Sequence, residues 1–152
     1  MADEQQYCTF YLGDYCFGLD VLKVQEIIRY QEMTRVPLAP PEVRGLINLR
    51  GQIVTAIDLR RRLEMPDRPA SEPPINVIVH TDDGAVSLLV DEIGEVLTVE
   101  DKMLEGPPET LKGTARELIR GVYKLADCLL LILDTDGAVT LMGDSPEFEL
   151  AE

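Results

Sequence analysis

Apolar residues along this chain come in short runs broken by glycine, proline and charge, rather than at the spacing of long helices. The clearest stretch runs from Val43 to Arg60. Its Ile, Leu and Val positions read as two extended segments meeting at Arg50-Gly51, where glycine allows the backbone angles of a tight reversal. Much the same pattern returns 76 residues later, between Ile119 and Asp134. The Arg-Gly, the Leu four residues after that Gly, the apolar run and its closing Asp all recur. The chain therefore reads as two related halves.

In chain order, Tyr7 to Leu12 alternates as a strand, and Gly13-Asp14 turns into Tyr15 to Leu19. Asp20 is placed to cap a short helix over Val21 to Ile28, but the apolar positions there fit neither period and the segment is also readable as extended. Met33 to Val36 reads as a strand stopped by Pro37, Pro40 to Val43 as one helical turn, and Leu59 to Leu63 as a brief helix. Prolines crowd Met65 to Pro74 and make 66–74 the connector between the halves. Ile75 to His80 and Ala85 to Val90 flank a hairpin signal at Asp83-Gly84, and Glu92 to Val99 is extended. Glu100 to Gly113 is a long loop with a turn of helix at Asp101 to Leu104. From Gly137 the pattern is weak, so 137–152 is expected to be a weakly structured tail.

A second echo aligns Phe17 to Ile27 with Val86 to Val96, Glu26 falling on Glu95. Many short strands with Gly and Pro turns predict an all-β chain, not a parallel sheet with crossover helices. Two small barrels fit best, over 14–65 and 75–136, with an exchange of terminal strands between them compatible with the pattern.

Composition adds limits. A chain of 152 residues is expected to form one compact unit, burying roughly two-thirds of its unfolded surface. Hydrophobic content of 45% supports a core, and 5% aromatic content without Trp makes that core aliphatic. No apolar run approaches the ~20 residues of a membrane span. Met1 to Gln6, acidic and polar, does not read as a signal peptide. Three cysteines, Cys8, Cys16 and Cys128, are an odd number inside apolar segments, which argues against a disulfide framework and for a reducing cytoplasm.

The net charge of −14 is unevenly placed: residues 1–68 carry ten acids and nine bases, residues 69–152 eighteen acids and five bases. The second half would repel nucleic-acid phosphate and anionic membrane. Arg29, Arg35, Arg44, Arg50 and Arg60 to Arg62 are available to an acidic partner, the alternative being a solvated surface of mixed charge.

Candidate chemistry is sparse. His80 is the one histidine, at a strand end, so no zinc site of the usual Cys/His spacing can be built. There is no Gly-rich phosphate loop, nucleophile elbow or dinucleotide fingerprint. Asp58 and Asp134 could suggest a two-carboxylate enzyme, but both close an apolar strand before a turn, where Asp satisfies backbone donors. Asp82 and Asp83 lack the ligand spacing of a calcium loop. No catalytic residue, cofactor or metal is expected.

Phe17 to Ile27, and Gly45 to Arg60 with its Asn48-Leu49-Arg50-Gly51 centre, closely resemble two segments of the CheW family of bacterial chemotaxis coupling proteins. Leu89 to Val96 and Gly121 to Leu125 follow in family order, so the likeness covers about residues 5 to 136. The resemblance implies two five-stranded SH3-like β-barrels packed around a shared core, with a few short helices. It implies a non-enzymatic adaptor linking the cytoplasmic tips of chemoreceptors to the histidine kinase CheA, through the kinase's regulatory domain. Such a protein is cytoplasmic, recruited to membrane-embedded receptor arrays; receptors use the groove between the barrels and the kinase the outer end faces, and ring-like assemblies with CheA are compatible with it.

By position, Val24, Glu26 and Arg50 fall on residues implicated in these contacts. The alternatives are that Glu26 and Arg50 pair with each other or cap local backbone, and that Val24 is plain core. Three departures stand out: Thr55 replaces a common Pro, Cys128 a polar or charged residue that here reads as a small buried hydrophobe, and the segment after Asp134 weakens the family's final helix. A scaffold of a pilus or surface-sensing pathway is an equivalent reading. A small-barrel nucleic-acid module is disfavoured by the acidic second half and few aromatics.

Overall fold

The computed structural model describes residues 4–67, 73–81, 84–109, 113–126 and 128–139. In chain order its strands are β1 (Glu4–Leu12), β2 (Tyr15–Asp20), β3 (Val24–Ile28), β4 (Val43–Leu49), β5 (Gln52–Asp58), β6 (Ile75–Thr81), β7 (Gly84–Val90), β8 (Glu92–Glu100), β9 (Ile119–Lys124) and β10 (Leu129–Leu133). Three short helices join them: α1 (Leu59–Arg62), α2 (Gly113–Leu118) and α3 (Thr135–Val139). The chain is all-β in class, with two five-stranded sheets ordered β8-β1-β2-β10-β9 and β3-β6-β7-β5-β4.

The repeat seen in the sequence is a repeat of registers. In the first sheet Leu131 lies opposite Phe17 and Ile132 opposite Gly18; in the second Thr55 lies opposite Val86 and Ala56 opposite Ser87. The offset of 76 that matches the two Arg-Gly segments carries Thr55 and Ala56 onto Leu131 and Ile132. The alignment of Phe17 with Val86 completes both pairs. Each sheet nevertheless draws on both halves. β1 and β2, before the connector, pair with β8 to β10, while β6 and β7, after it, pair with β3 to β5. The central pairs β2–β10 and β5–β7 are parallel, and parallel neighbours cannot be joined by a tight hairpin.

Strand alternation distributes the aliphatic residues among three clusters. Leu131 and Leu133 point into a shared core with Phe10, Leu12, Phe17 and Leu19 from one sheet and Ile57, Val77, Val79, Leu88 and Val90 from the other. Leu130 and Ile132, on the opposite face of β10, join Tyr7, Cys16 and Tyr123. Ile78 likewise turns away from the shared core to meet Ile47, Leu49 and Val54. Strands buried on both faces read as continuous apolar runs. Phe10 and Phe17 stack with centroids 5.5 Å apart.

The free edges are bridged by the chain leaving the outermost strands. After β3, Thr34 exchanges two backbone hydrogen bonds of 2.8 Å with Leu46 on β4. After β8, Glu105 does the same with Val122 on β9, at 2.9 and 2.8 Å. Gly45 and Gly121, related by the same offset of 76, make both approaches possible. A Cβ on Gly45 would lie 2.6 Å from the Thr34 carbonyl oxygen, and one on Gly121 2.5 Å from that of Glu105.

Several local expectations need correction. Val21 to Ile28 divides into a 3-10 turn at Val21–Lys23 and the strand β3. Asp20 Oδ1 accepts the Leu22 N–H at 2.9 Å and fixes that boundary. Met33 to Val36 contributes only the bridge at Thr34. Pro40 to Val43 is a turn closed by Val43 N–H to Pro40 O at 2.9 Å, not a helix. The sequence pattern does not predict helix α2, although Ala115, Arg116 and Leu118 favour one. Gly137 and Val139, read as the start of a tail, belong to α3, and residues 140–152 lie outside the described residues, as do 68–72 of the connector and Asp82-Asp83.

Candidate functional site

Leu49 pairs with Gln52, so Arg50-Gly51 is a two-residue hairpin loop between β4 and β5. Arg50 has φ 52° and Gly51 φ 87°, the positive pair that suits the right-handed twist of the flanking strands. Asn48 Oδ1 accepts the Gly51 N–H at 2.8 Å and holds the reversal. An arginine at left-handed φ costs about 1 kcal/mol relative to Gly or Asn, so its presence is not explained by the turn.

The Arg50 guanidinium pairs, through Nη2, with Oε2 of Glu26 on β3. Because β3 and β4 are the two edges of their sheet, this pair spans the gap between them. The Arg50 side chain is 67% exposed and that of Glu26 25%. The Arg50 hydrogen bond holds the Glu26 carboxyl below its ordinary value, outweighing the opposing effect of desolvation, with help from Gln25. The structure thus brings Glu26 and Arg50 together. Val24, two residues earlier, is half-buried, sits opposite Val79 and packs against the shared core, beyond a register shift that separates it from Glu26.

Ile27 and Ile53, on β3 and β5, are exposed beside this pair in sequence. The alignments that relate the two halves carry Ile27 onto Val96, Ile53 onto Leu129 and Glu26 onto Glu95. Val96 and Leu129 are also exposed. The position of Arg50 is taken by Ala126, so the ion pair belongs to one half only.

The other arginines read as available are mostly engaged within the chain. Arg60 forms a two-pronged pair with Asp91, the single residue between β7 and β8, and donates to Pro66 O at 2.9 Å. The same carboxylate accepts Gly13 N–H at 2.7 Å, so Arg60 fastens the point where the chain passes from one sheet to the other. Arg61 bonds Asp67 at 3.1 and 3.3 Å, and buried Arg62 donates to Gly137 O at 2.9 Å. Arg44 pairs with Asp58 at 3.2 Å. Asp58, fully buried, caps α1 by accepting from Arg60 N and Arg61 N, the structural role expected of it. His80 is exposed near the end of β6, its Nε2 3.0 Å from Leu22 O. Among the described residues no group of three or more His, Cys, Asp or Glu is placed to hold a metal ion.

A cleft of about 380 Å³ opens where the Val21–Lys23 turn carries the chain from β2 to β3. Asp20, Asp101, Asp134 and Asp136 line it, with Lys23 and Arg120. Lys23 and Asp136 approach to 3.9 Å across it. Cys128 is exposed, not buried, which corrects its reading as a small core residue.

Comparison with known proteins agrees with this fold. The family model described as a CheW-like domain matches residues 6–141. The Chemotaxis protein CheW of Treponema pallidum is 31% identical over 137 residues, 87% of this chain and 81% of that protein. The protein of the same name in Bacillus subtilis is 32% identical over 123 residues, covering 81% and 79%. The crystal structure of the scaffolding protein TtCheW from Thermoanaerobacter tengcongensis superposes with a TM-score of 0.82 at 27% identity, covering 97% of this chain and 94% of that one.

Proposed function

Because the chain belongs to the CheW-like family of chemotaxis scaffolds, which are not enzymes, we propose that it couples the cytoplasmic tips of chemoreceptors to the regulatory domain of the histidine kinase CheA. The observation that carries this reading is Arg50. It occupies a turn position that favours Gly, it keeps most of its side chain in solvent, and Glu26 steers its guanidinium. Such a residue serves binding better than folding, since arginines held in place on a surface are common centres of interface energy. Exposed Ile27 and Ile53 supply apolar area next to it in the chain.

Ring-like assembly with CheA is the second part of the reading. The exposed aliphatic pair recurs as Val96 and Leu129 on the other half. Only the first of the two halves has the Glu26–Arg50 pair, so the two repeat the exposed aliphatic positions but are chemically distinct. Two unlike faces on one body suit head-to-tail contacts, which close into rings. The mixed-charge cleft between Lys23 and Asp136 is the candidate groove for a receptor tip. The proposed place of action is the cytoplasm at receptor arrays.

The test is titration calorimetry of a receptor-tip fragment and of a CheA regulatory domain, each against the native chain and Arg50→Ala. Loss of a central arginine is expected to weaken one of the two by about 2 kcal/mol, roughly 30-fold. The melting temperature should stay near native, as for surface sites generally. Native-like affinity for both partners, or an unfolded variant, would overturn the assignment of Arg50 as a binding residue. Failure of the native chain to bind either partner would overturn the adaptor reading itself.

A further inference from the structure

Cys16 lies on β2 opposite Leu130 of β10 in the parallel register. Cys128 precedes Leu130 by two positions, so strand alternation puts it on the same side of the sheet as Leu130 and Cys16. Cys128 lies near enough to raise the Cys16 pKa, after the larger effect of burial. Cys16 is buried within the small cluster of Tyr7, Tyr123, Leu130 and Ile132, whereas Cys128 is exposed at the entry to β10. Its carbonyl accepts the Leu125 N–H at 2.9 Å, which ties it to the residue that follows β9. Cys8, on β1 opposite Leu19, is an odd number of residues out of step with the Tyr11–Cys16 pair and falls outside this contact.

We propose that Cys16 and Cys128 are a redox modification site that closes to an intramolecular disulfide when the protein meets a hydroperoxide. The exposed sulfur reacts first. The Cys128 thiolate attacks one peroxide oxygen, the O–O bond breaks, and the second oxygen leaves as water after taking a proton, giving Cys128 sulfenic acid. The Cys16 sulfur then attacks the Cys128 sulfur. The S–S bond forms, the S–OH bond breaks, and hydroxide departs with the Cys16 proton as a second water. Two thiols lose two electrons and two protons, and hydrogen peroxide is reduced to two waters. Burial pushes the Cys16 thiol up to about 11. Cys16 is thus a poor first target for oxidant and acts as the resolving thiol, facing the sulfenic acid from the same side of the sheet. The bond would join positions 112 residues apart in sequence, and so fasten β2 to the strand it pairs with from the far end of the chain.

The test treats the full chain with hydrogen peroxide and maps the thiols by mass spectrometry. The expected product is a monomer two hydrogens lighter, with Cys16 and Cys128 in one cross-linked peptide, Cys8 still free, a raised melting temperature and full reversal by dithiothreitol. Cys128→Ser should lose the cross-link and leave Cys16 reduced. Cys16→Ala should leave Cys128 as a sulfenic acid that dimedone traps. Over-oxidation of Cys128 in the native chain with Cys16 untouched, or a cross-link through Cys8 or between molecules, would overturn the proposal. The Cys128→Ser arm decides it even if Cys16→Ala does not fold.

Discussion

Gly45 and Gly121 should both resist replacement, for one shared reason. Each lies on an edge strand at the point where the chain leaving the opposite edge comes back to bridge it. A methyl on Gly45 would stand 2.6 Å from the Thr34 carbonyl oxygen and 3.0 Å from Met33 Cβ. On Gly121 it would stand 2.5 Å from the Glu105 oxygen and 2.8 Å from Leu104 Cδ1. Backbone atoms are involved in both, so relief requires the bridging segment to move. That movement breaks the exchanged pair Thr34–Leu46 in one case and Glu105–Val122 in the other.

Two backbone hydrogen bonds at about 1 kcal/mol each, with some lost packing, give an expected cost of roughly 2–3 kcal/mol for either alanine. For a chain of this size that corresponds to a melting temperature lower by about 4–12 °C. Gly106→Ala is the control, since nothing lies within 4 Å of its added Cβ. Calorimetry of the three variants checks the argument. Equal, small effects at all three positions would show that the edge bridges contribute nothing and that the two glycines recur for another reason.

Gly51→Val adds a side chain in open space but at φ 87°, so it should cost about 1–2 kcal/mol through backbone strain alone, and an unchanged melt would discredit the two-residue loop. Arg50 lowers the Glu26 pKa, so the pairing is present above the ordinary glutamate value and is lost as pH falls through the lower, folded one; in carbon-detected NMR titration the Glu26 midpoint should rise in Arg50→Ala, and an unmoved midpoint would break the pair's assignment. With Arg44 and Arg60 to Arg62 engaged internally, partner affinity should weaken only modestly between ~0.05 and ~0.5 M salt, a range over which the screening length shortens several-fold. A steep loss would mean that those arginines face the partner after all.

Elements with strong local signals were legible in the sequence. The hairpin at Arg50-Gly51, the Asp58 cap and the strands flanking Asp83-Gly84 follow from turn chemistry and apolar runs that depend on few neighbours. Segments whose state depends on distant partners were not. Met33 to Val36 has the composition of a strand, but only Thr34 finds a mate, because Gly45 admits the chain at a single point. The arginines after Asp58 look alike in sequence, yet Arg60 reaches Asp91, Arg61 reaches Asp67 and Arg62 turns inward to Gly137. The sequence marks both Glu26 and Arg50, and pairing between them is one of the alternatives it allows. Their distance across the sheet edges is a tertiary fact that no periodicity encodes.

The mixing of halves within each sheet also has a cause in chain length. For the first half to build a sheet alone, β1 and β2 would have to occupy the places of β6 and β7, to which they correspond in register. Asp20 would then stand where Leu89 does, beside the start of the inner strand, while Val24 pairs near its other end, as it does with Val79. Crossing two strands and about three residues of length is roughly 14 Å. The Val21–Lys23 link could reach that far only if fully extended, at about 3.5 Å per residue, and it is a 3-10 turn capped by Asp20. The short link therefore sends β3 away from β2 and into the other sheet. It follows that residues 1–68 and 69–152 expressed separately should each lack a folding transition, since β1–β2 and β6–β7 would be left as lone hairpins, which are marginal in water. Mixed together, the fragments should recover the melt and circular dichroism of the whole chain. Two fragments that each melt cooperatively on their own would show that every half can close its own sheet, and that the link does not dictate the exchange.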